Sequence, residues 1–213
     1  MEKVTDVVVV RGEAELFERT KHLFAAATEV SCAARDLHTW ATAHPSAPER
    51  EQAVREHTTV RKVYQPGVLL DPELAEHLRF MTTHGARIRI TEREINETIL
   101  LDRRIAIVAG DRVGHVRSYT VVSNPELVQG IQSLFEAAWA GATDLAAYQA
   151  RFTELGGREI LEQLASGCKD EVAARTLGVG LRTYRRRVAE LMEILGASSR
   201  FQAGALAREA GLL

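Results

Sequence analysis

With 213 residues the chain has room for one large domain or two modest ones. An apolar fraction of 46%, an aromatic fraction of 6% and a formal net charge of −2 fit a soluble α/β chain with an adequate core, and exclude high non-specific affinity for DNA from a monomer. No apolar run is long enough to span a bilayer and no basic-apolar signal segment opens the chain, so a cytoplasmic protein is expected.

The charge is divided unevenly. Residues 151–213 hold 10 Lys+Arg against 8 Asp+Glu (+2), whereas residues 1–150 hold 17 against 21 (−4). A mildly basic module beside an acidic one fits a nucleic-acid reader joined to a part that is not one. Cys32 and Cys168 fall in the two different modules with no metal-ligand spacing around either, which makes them packing thiols of a reducing compartment. His38, His44, His57 and His115 show no paired spacing such as His-x3-His, so neither a metal nor a cofactor is expected.

In chain order, the β-branched run Asp6–Val10 predicts a buried strand, and Glu13–Ala27 a helix with Leu16, His22, Leu23 and Phe24 as inward candidates. Glu29–Ala34 reads as a second strand, and Asp36 caps a short helix through Trp40. The two prolines in His44–Pro48 make a loop, and a polar helix spans Glu49–His57. A third strand, Thr59–Tyr64, stops at Gln65-Pro66-Gly67. A helix opens at Asp71 with Pro72 at N1 and ends near Gly85. Ala86–Thr91 is a strand in which Ile88 and Ile90 alternate with Arg87 and Arg89. Strands at 98–102 and 105–108 flank a turn at Arg103-Arg104, and Val116–Val122 is the last strand. Asn124 then caps a long helix. Leu127, Ile131, Leu134, Phe135, Ala138 and Trp139 form its apolar stripe, and it is expected to run past Gly141 towards Phe152 as a connector. Alternation of strand and helix throughout predicts an α/β domain with a mixed sheet over residues 1–146.

Residues 147–213 are read as an all-α domain. Asp170–Leu177 forms one short helix with Asp170 as its N-cap, Gly178 marks the turn, and Leu181–Leu195 forms the next helix. Val188, Leu191, Met192 and Leu195 face inward at helical spacing, while Arg182, Arg185, Arg186 and Arg187 crowd the first two turns on or beside the opposite face. Two short helices joined this way, with cations on the second, form a helix-turn-helix whose second helix enters the major groove. The competing reading is a solvated charged face.

Residues 156–211 resemble the DNA-binding domain of LuxR-type transcription regulators. The likeness rests on Arg158–Leu161, Leu164–Gly167, Ala173–Val179, Arg182-Thr183, Val188, Leu195–Arg200 and Gln202–Ala207, which cover all four helices of that domain. The family's opening motif is degraded at Thr153–Gly157, and Arg187 stands where histidine is frequent. The resemblance implies that Arg185 and Arg186 face base edges, where arginine discriminates guanine by about 1–3 kcal/mol per bidentate contact. Arg182 belongs to the same contact surface, and Thr183, Arg187 and Lys169 are assigned to phosphates. Glu190 and Glu193 on the same helix are expected to point away from the duplex. The resemblance also implies a homodimer through the last helix, Ser199–Glu209, with Phe201, Ala205 and Leu206 on one side, reading a pseudo-palindromic operator.

The acidic half lacks the aspartates of a phospho-receiver. Val60–Gln65, Gly85–Arg89, Ile99–Ala106, Asn124–Val128 and Leu134–Trp139 instead resemble the phospholipase-D-like sensor domain of actinobacterial-type LuxR regulators, and more distantly the TrmB sugar-sensing regulators. Active phospholipase-D proteins carry His-x-Lys-x4-Asp. Placing the aspartate at Asp102 puts Glu97 at the lysine and Ile95 at the histidine, so no catalytic residue is assigned and the domain is expected to bind rather than turn over. Tyr64, Arg89, Glu97, Asp102 and Arg103 are the candidate ligand groups near common strand ends, with Trp40 and His57 as walls and a small molecule or peptide as effector. Asp102 reads equally well as a turn residue. A residual phosphodiesterase and a ligand-free protein-interaction adaptor stand as alternatives.

Overall fold

The computed structural model describes residues 6–34, 58–69, 72–114 and 116–209. The helices expected at 36–40 and 49–57, together with Trp40, His38, His44, His57 and His115, lie outside the described residues, as does the side chain of Leu206. Within the described part the strands are β1 (Val7–Arg11), β2 (Glu29–Ala34), β3 (Thr59–Tyr64), β4 (Arg87–Ile90), β5 (Thr98–Leu101), β6 (Ile105–Val113), β7 (Val116–Val122) and β8 (Thr143–Asp144). They form one mixed sheet in the order β1-β7-β6-β5-β2-β3-β4-β8. β2, β3 and β4 run parallel, and every other pairing is antiparallel. Helix α1 (Glu13–Ala26) follows β1, and α2 (Pro72–Thr83) links β3 to β4 after a 3-10 turn at Pro66–Leu69. Parallel β3 and β4 need such a crossover, whereas β5–β6 and β6–β7 close as hairpins.

Alternation along the strands divides the core between the two sheet faces. On one face Val63, Leu100, Ala106 and Val122 meet Val128, Phe135 and Trp139 of α3 (Pro125–Gly141). On the other, Val10, Ile107 and Tyr119 cover Leu16 of α1, and Val60, Tyr64, Ile88 and Ile90 turn towards the chain's C-terminal helices. In α1, Leu16 and Thr20 are the buried pair, while His22 is exposed.

Ile131, Phe135, Ala138 and Trp139 of the expected α3 stripe face the sheet, but Leu127 and Leu134 do not, and Val128 takes the inward place beside them. The Asn124 side chain accepts from the amides of Glu126 and Leu127 and fixes where the helix begins. From that start Val128, Phe135 and Trp139 point inward at helical spacing, leaving Leu127 51% and Leu134 73% exposed. Nor does α3 continue to Phe152. Ala142 is extended, Thr143-Asp144 pairs with Arg89-Ile90 as β8, and the Asp144 carboxylate caps a separate helix, α4 (Leu145–Leu155), through the amide of Ala146. An edge position beside β4 was open, and two residues of extended chain satisfy its backbone groups.

Four further helices follow among the described residues: α5 (Gly157–Ala165), α6 (Asp170–Thr176), α7 (Leu181–Leu195) and α8 (Arg200–Glu209). Gly156 adopts φ +72° at the α4–α5 junction, a conformation that excludes most side chains. Ile160 and Leu161 of α5, Ala173 and Ala174 of α6, and Tyr184, Val188, Leu191, Ile194 and Leu195 of α7 pack together. They share one continuous apolar cluster with Tyr148 and Leu155 of α4 and with Val60, Tyr64 and Ile90 of the sheet. Among the described residues no helix is long and apolar enough to cross a membrane.

Candidate functional site

The turn between α6 and α7 is built by two glycines and two apolar pegs. Leu177 and Val179 are half-buried, Gly178 takes φ +65°, and the Val179 amide donates to the Ala174 carbonyl at 2.9 Å. Gly180 then caps α7 without a side-chain bond. Tyr184 and Val188 bury one face of α7 at 1% exposure each, which turns the arginines outward. Arg182, Arg185 and Arg186 are exposed, and Arg187 and Thr183 are half-buried at the flank. Lys169 is exposed, but it occupies the N-cap of α6. Asp170, expected there, is instead the first helical residue. Its carboxylate is turned away from the helix amides and held by arginines of two other helices.

Those contacts form a small charged hub. Asp170 Oδ2 accepts from Arg185 Nε at 2.9 Å, and Oδ1 accepts from Arg200 Nη1 of α8 at 2.5 Å. The hydrogen bond from Arg200, then that from Arg185, holds the Asp170 carboxyl below its ordinary value. Arg185 Nη2 also lies 3.6 Å from Glu171 Oε1. Glu190 does not point clear of the arginines: its Oε1 accepts from Arg186 Nη1 at 2.6 Å, one helical turn away. Arg182 and Arg187 have no ion pair among the described residues. This face can offer guanidinium groups to an acceptor-rich surface while neighbouring carboxylates restrict their directions.

The five candidate ligand groups of the sheet are not brought to one place. Tyr64 ends β3, is 2% exposed and packs into the cluster shared with the C-terminal helices; burial pushes its hydroxyl well above the ordinary value. Arg89 projects from the opposite face of the sheet, where its guanidinium lies 4.6 Å from the Trp139 ring centre and donates to the Trp139 carbonyl at 2.7 Å. Glu97 is paired with Arg117 and largely covered. Asp102 and Arg103 sit at the β5–β6 turn in the left-handed region, at φ +50° and +57°. Because β5 is antiparallel to β2, this turn lies beside Glu29 at the start of β2, whereas Tyr64 pairs with Ala34 at its end. Five residues of strand separate the two sites by about 16 Å. Parallel and antiparallel neighbours put their C-terminal ends at opposite ends of the strands, and nothing local to the sequence reveals which.

Asp102 is committed to structure. Its Oδ1 accepts from Thr28 N at 2.8 Å, Thr28 Oγ1 at 2.9 Å and Glu29 N at 2.8 Å. Burial works to raise this carboxyl, but the three hydrogen bonds outweigh it and hold it below its ordinary value. Asp102→Ala is expected to cost about 2 kcal/mol, since it strands two amides and places alanine at positive φ. A denaturant midpoint unchanged by the substitution would show that the corner contributes nothing. Arg103 Nε bonds Glu29 Oε2 at 3.0 Å and lines an open groove of about 630 Å³ with Arg104, Ser123 and Gln129. Among the described residues no cluster of His, Cys, Asp or Glu has a metal-binding arrangement.

No family model matches the chain. A curated relative, the bialaphos biosynthetic pathway regulatory protein of Streptomyces hygroscopicus, is 35% identical over 159 residues, which is 73% of this chain and 62% of that protein. The chain thus spans a little under two thirds of the curated relative it matches. Among solved structures, Nuc of Salmonella typhimurium, a phospholipase D family member, superposes with a TM-score of 0.52 at 13% identity, covering 65% of this chain and 97% of Nuc. TrmBL2, described as an archaeal chromatin protein with a novel mode of DNA binding, superposes with a TM-score of 0.53 at 15% identity over 68% of this chain and 56% of its own. The mixed sheet with flanking helices therefore has a phospholipase-D-like fold.

Proposed function

We propose that this chain is a sequence-specific, DNA-binding transcription regulator of LuxR type, whose phospholipase-D-like part is a receptor and not an enzyme. One observation carries the reading. The α6–turn–α7 unit buries Ala173, Ala174, Tyr184 and Val188 while directing Arg182, Arg185 and Arg186 outward from the first two turns of α7. A regulator among the relatives and a DNA-binding protein among the structural neighbours support it. The reading of the sheet as a receptor is supported by the triad positions: Ile95 is apolar and 8% exposed, Glu97 is tied to Arg117, and the acceptor oxygen of Asp102 serves backbone amides. Such a set has neither a nucleophile for phosphorus nor a free cation to hold it. Phe201, 87% exposed on α8, supports association of two copies through that helix, which would set two α7 helices on a pseudo-palindromic site.

Selection from a random duplex pool by the full chain tests this. The expected result is one enriched pseudo-palindrome. With Lys169, Arg182 and Arg187 neutralising phosphates in each of two protomers, its affinity should fall on the order of a thousandfold between about 50 and about 200 mM salt. A pool that enriches nothing, or binding indifferent to salt, overturns the assignment.

A further inference from the structure

Resting on that reading, we infer that Asp170 is a specificity-determining positioning residue that orients Arg185 towards one base while itself touching no DNA. A guanidinium has two edges able to make paired hydrogen bonds: a side edge of Nε and Nη2, and an end edge of Nη1 and Nη2. On Arg185 the side edge is engaged through Nε, which donates to Asp170 Oδ2 at 2.9 Å, while Nη2 lies in ion-pair range of Glu171 at 3.6 Å. The end edge makes no hydrogen bond among the described residues, on a side chain 54% exposed, and it can make the paired contact to the O6 and N7 of guanine.

The carboxylate making this arrangement is itself fixed. Asp170 is only 16% exposed, and Arg200 of α8 grips both its oxygens, Nη1 on Oδ1 at 2.5 Å and Nη2 on Oδ2 at 3.3 Å. Arg200 holds Asp170, and Asp170 holds Arg185. The plane of the guanidinium is set before the duplex arrives, which removes ordering cost from the correct contact and withholds the flexibility that would let Arg185 adapt to a wrong base.

The sign of the effect separates positioning from mere stabilisation. Asp170 is an anion at the edge of a surface meant for phosphates, so removing it strengthens non-specific attraction while freeing Arg185. Damage to the fold would weaken both kinds of binding. The full chain is used to select a duplex from a random pool. Binding is then compared for that duplex, for one with the guanine exchanged at each position, and for a scrambled duplex.

Asp170→Ala is expected to lower the preference for guanine about tenfold at one position per half-site, with scrambled-duplex affinity equal or higher. Arg200→Ala, which leaves the Asp170–Arg185 bond in place, is expected to keep most of that preference. If Asp170→Ala does not fold by circular dichroism, Asp170→Leu gives the same comparison, since it keeps a side chain of similar size with no acceptor for Arg185. An unchanged base preference, or an equal loss on all duplexes, overturns the proposal. A wild-type chain that enriches no sequence overturns the DNA-reading function first, and is told apart by failing before any variant is made.

Discussion

Replacing Arg185 and Arg186 together with alanine is expected to reduce affinity for the selected duplex by about a hundredfold or more, leaving only salt-sensitive, sequence-indifferent binding. Each bidentate guanidinium–base contact is worth about 1–3 kcal/mol, and the double variant removes two of them. The ion pairs these side chains make in the free protein do not compete at that scale. Arg185 and Arg186 are 54% and 65% exposed, and exposed pairs contribute about 0–1 kcal/mol. A guanine is therefore able to draw Arg186 from Glu190, and Arg185 can bind one through the edge its carboxylate partners leave open. The same substitutions leave the buried face of α7 untouched, since Tyr184, Val188, Leu191 and Ile194 keep their neighbours and Asp170 keeps Arg200. Thermal stability should move by no more than about 1 kcal/mol. Binding of the selected duplex at wild-type affinity would show that α7 is not the reading helix.

The second large effect is expected in the sheet. Arg61 projects from β3 beneath α3, with its side chain 11% exposed and its guanidinium 5.1 Å from the Phe135 ring centre and 5.5 Å from that of Trp139. It donates to Glu136 Oε1 and Oε2 at 2.7 and 3.0 Å and to Glu29 Oε1 at 3.2 Å. Arg61→Ala removes the cation shared by two carboxylates and opens space against α3. A cost of about 3 kcal/mol is expected, the low end for breaking a buried pair because Glu136 remains 41% exposed.

Acid should act on the same contact. The hydrogen bond from Arg61 holds the Glu136 carboxyl below its ordinary value. A carboxylate with a depressed folded-state value contributes stability that is present above its unfolded value, near pH 4 to 5, and is lost as pH falls through the lower folded one. The wild-type chain should thus lose stability below about pH 4.5, and Arg61→Ala should flatten that limb. Denaturant melts at pH 7 and in steps below pH 5 measure both; parallel acid limbs in the two proteins would contradict the linkage.

The Arg61 contact also shows where reading from sequence stops. β3 and α3 were both legible, the first from its β-branched alternation and the second from its Asn-Pro start, yet Arg61 and Glu136 are 75 residues apart and no pattern links them. Arg89 gives the same lesson. On an alternating strand an arginine reads as solvated, but α3 lies over that face and supplies an indole and a carbonyl. From sequence the candidate ligand groups share only their nearness to strand ends. Tyr64 and Asp102 lie at opposite ends of β2 because β5 returns antiparallel beside it, and either direction would have left the local sequence unchanged.

In the C-terminal helices the reverse holds. Gly178, the burial of Val188, Leu191 and Leu195, and the outward arginines of α7 follow from spacing alone, because helical phase is a property of neighbours three and four residues apart. What the amino-acid sequence determined by itself is the identity of most described elements, β8 and the break between α3 and α4 excepted, and the cluster of cations that suggests a duplex. What only the tertiary structure decided is which charges meet: Asp170 as the clasp of Arg185 and Arg200, Asp102 as the lock on Thr28, and one apolar cluster running from the sheet into α7. Local periodicity is written in adjacent residues, whereas a pairing across dozens of positions depends on the path of the whole chain, which is settled by burying all the apolar faces at once.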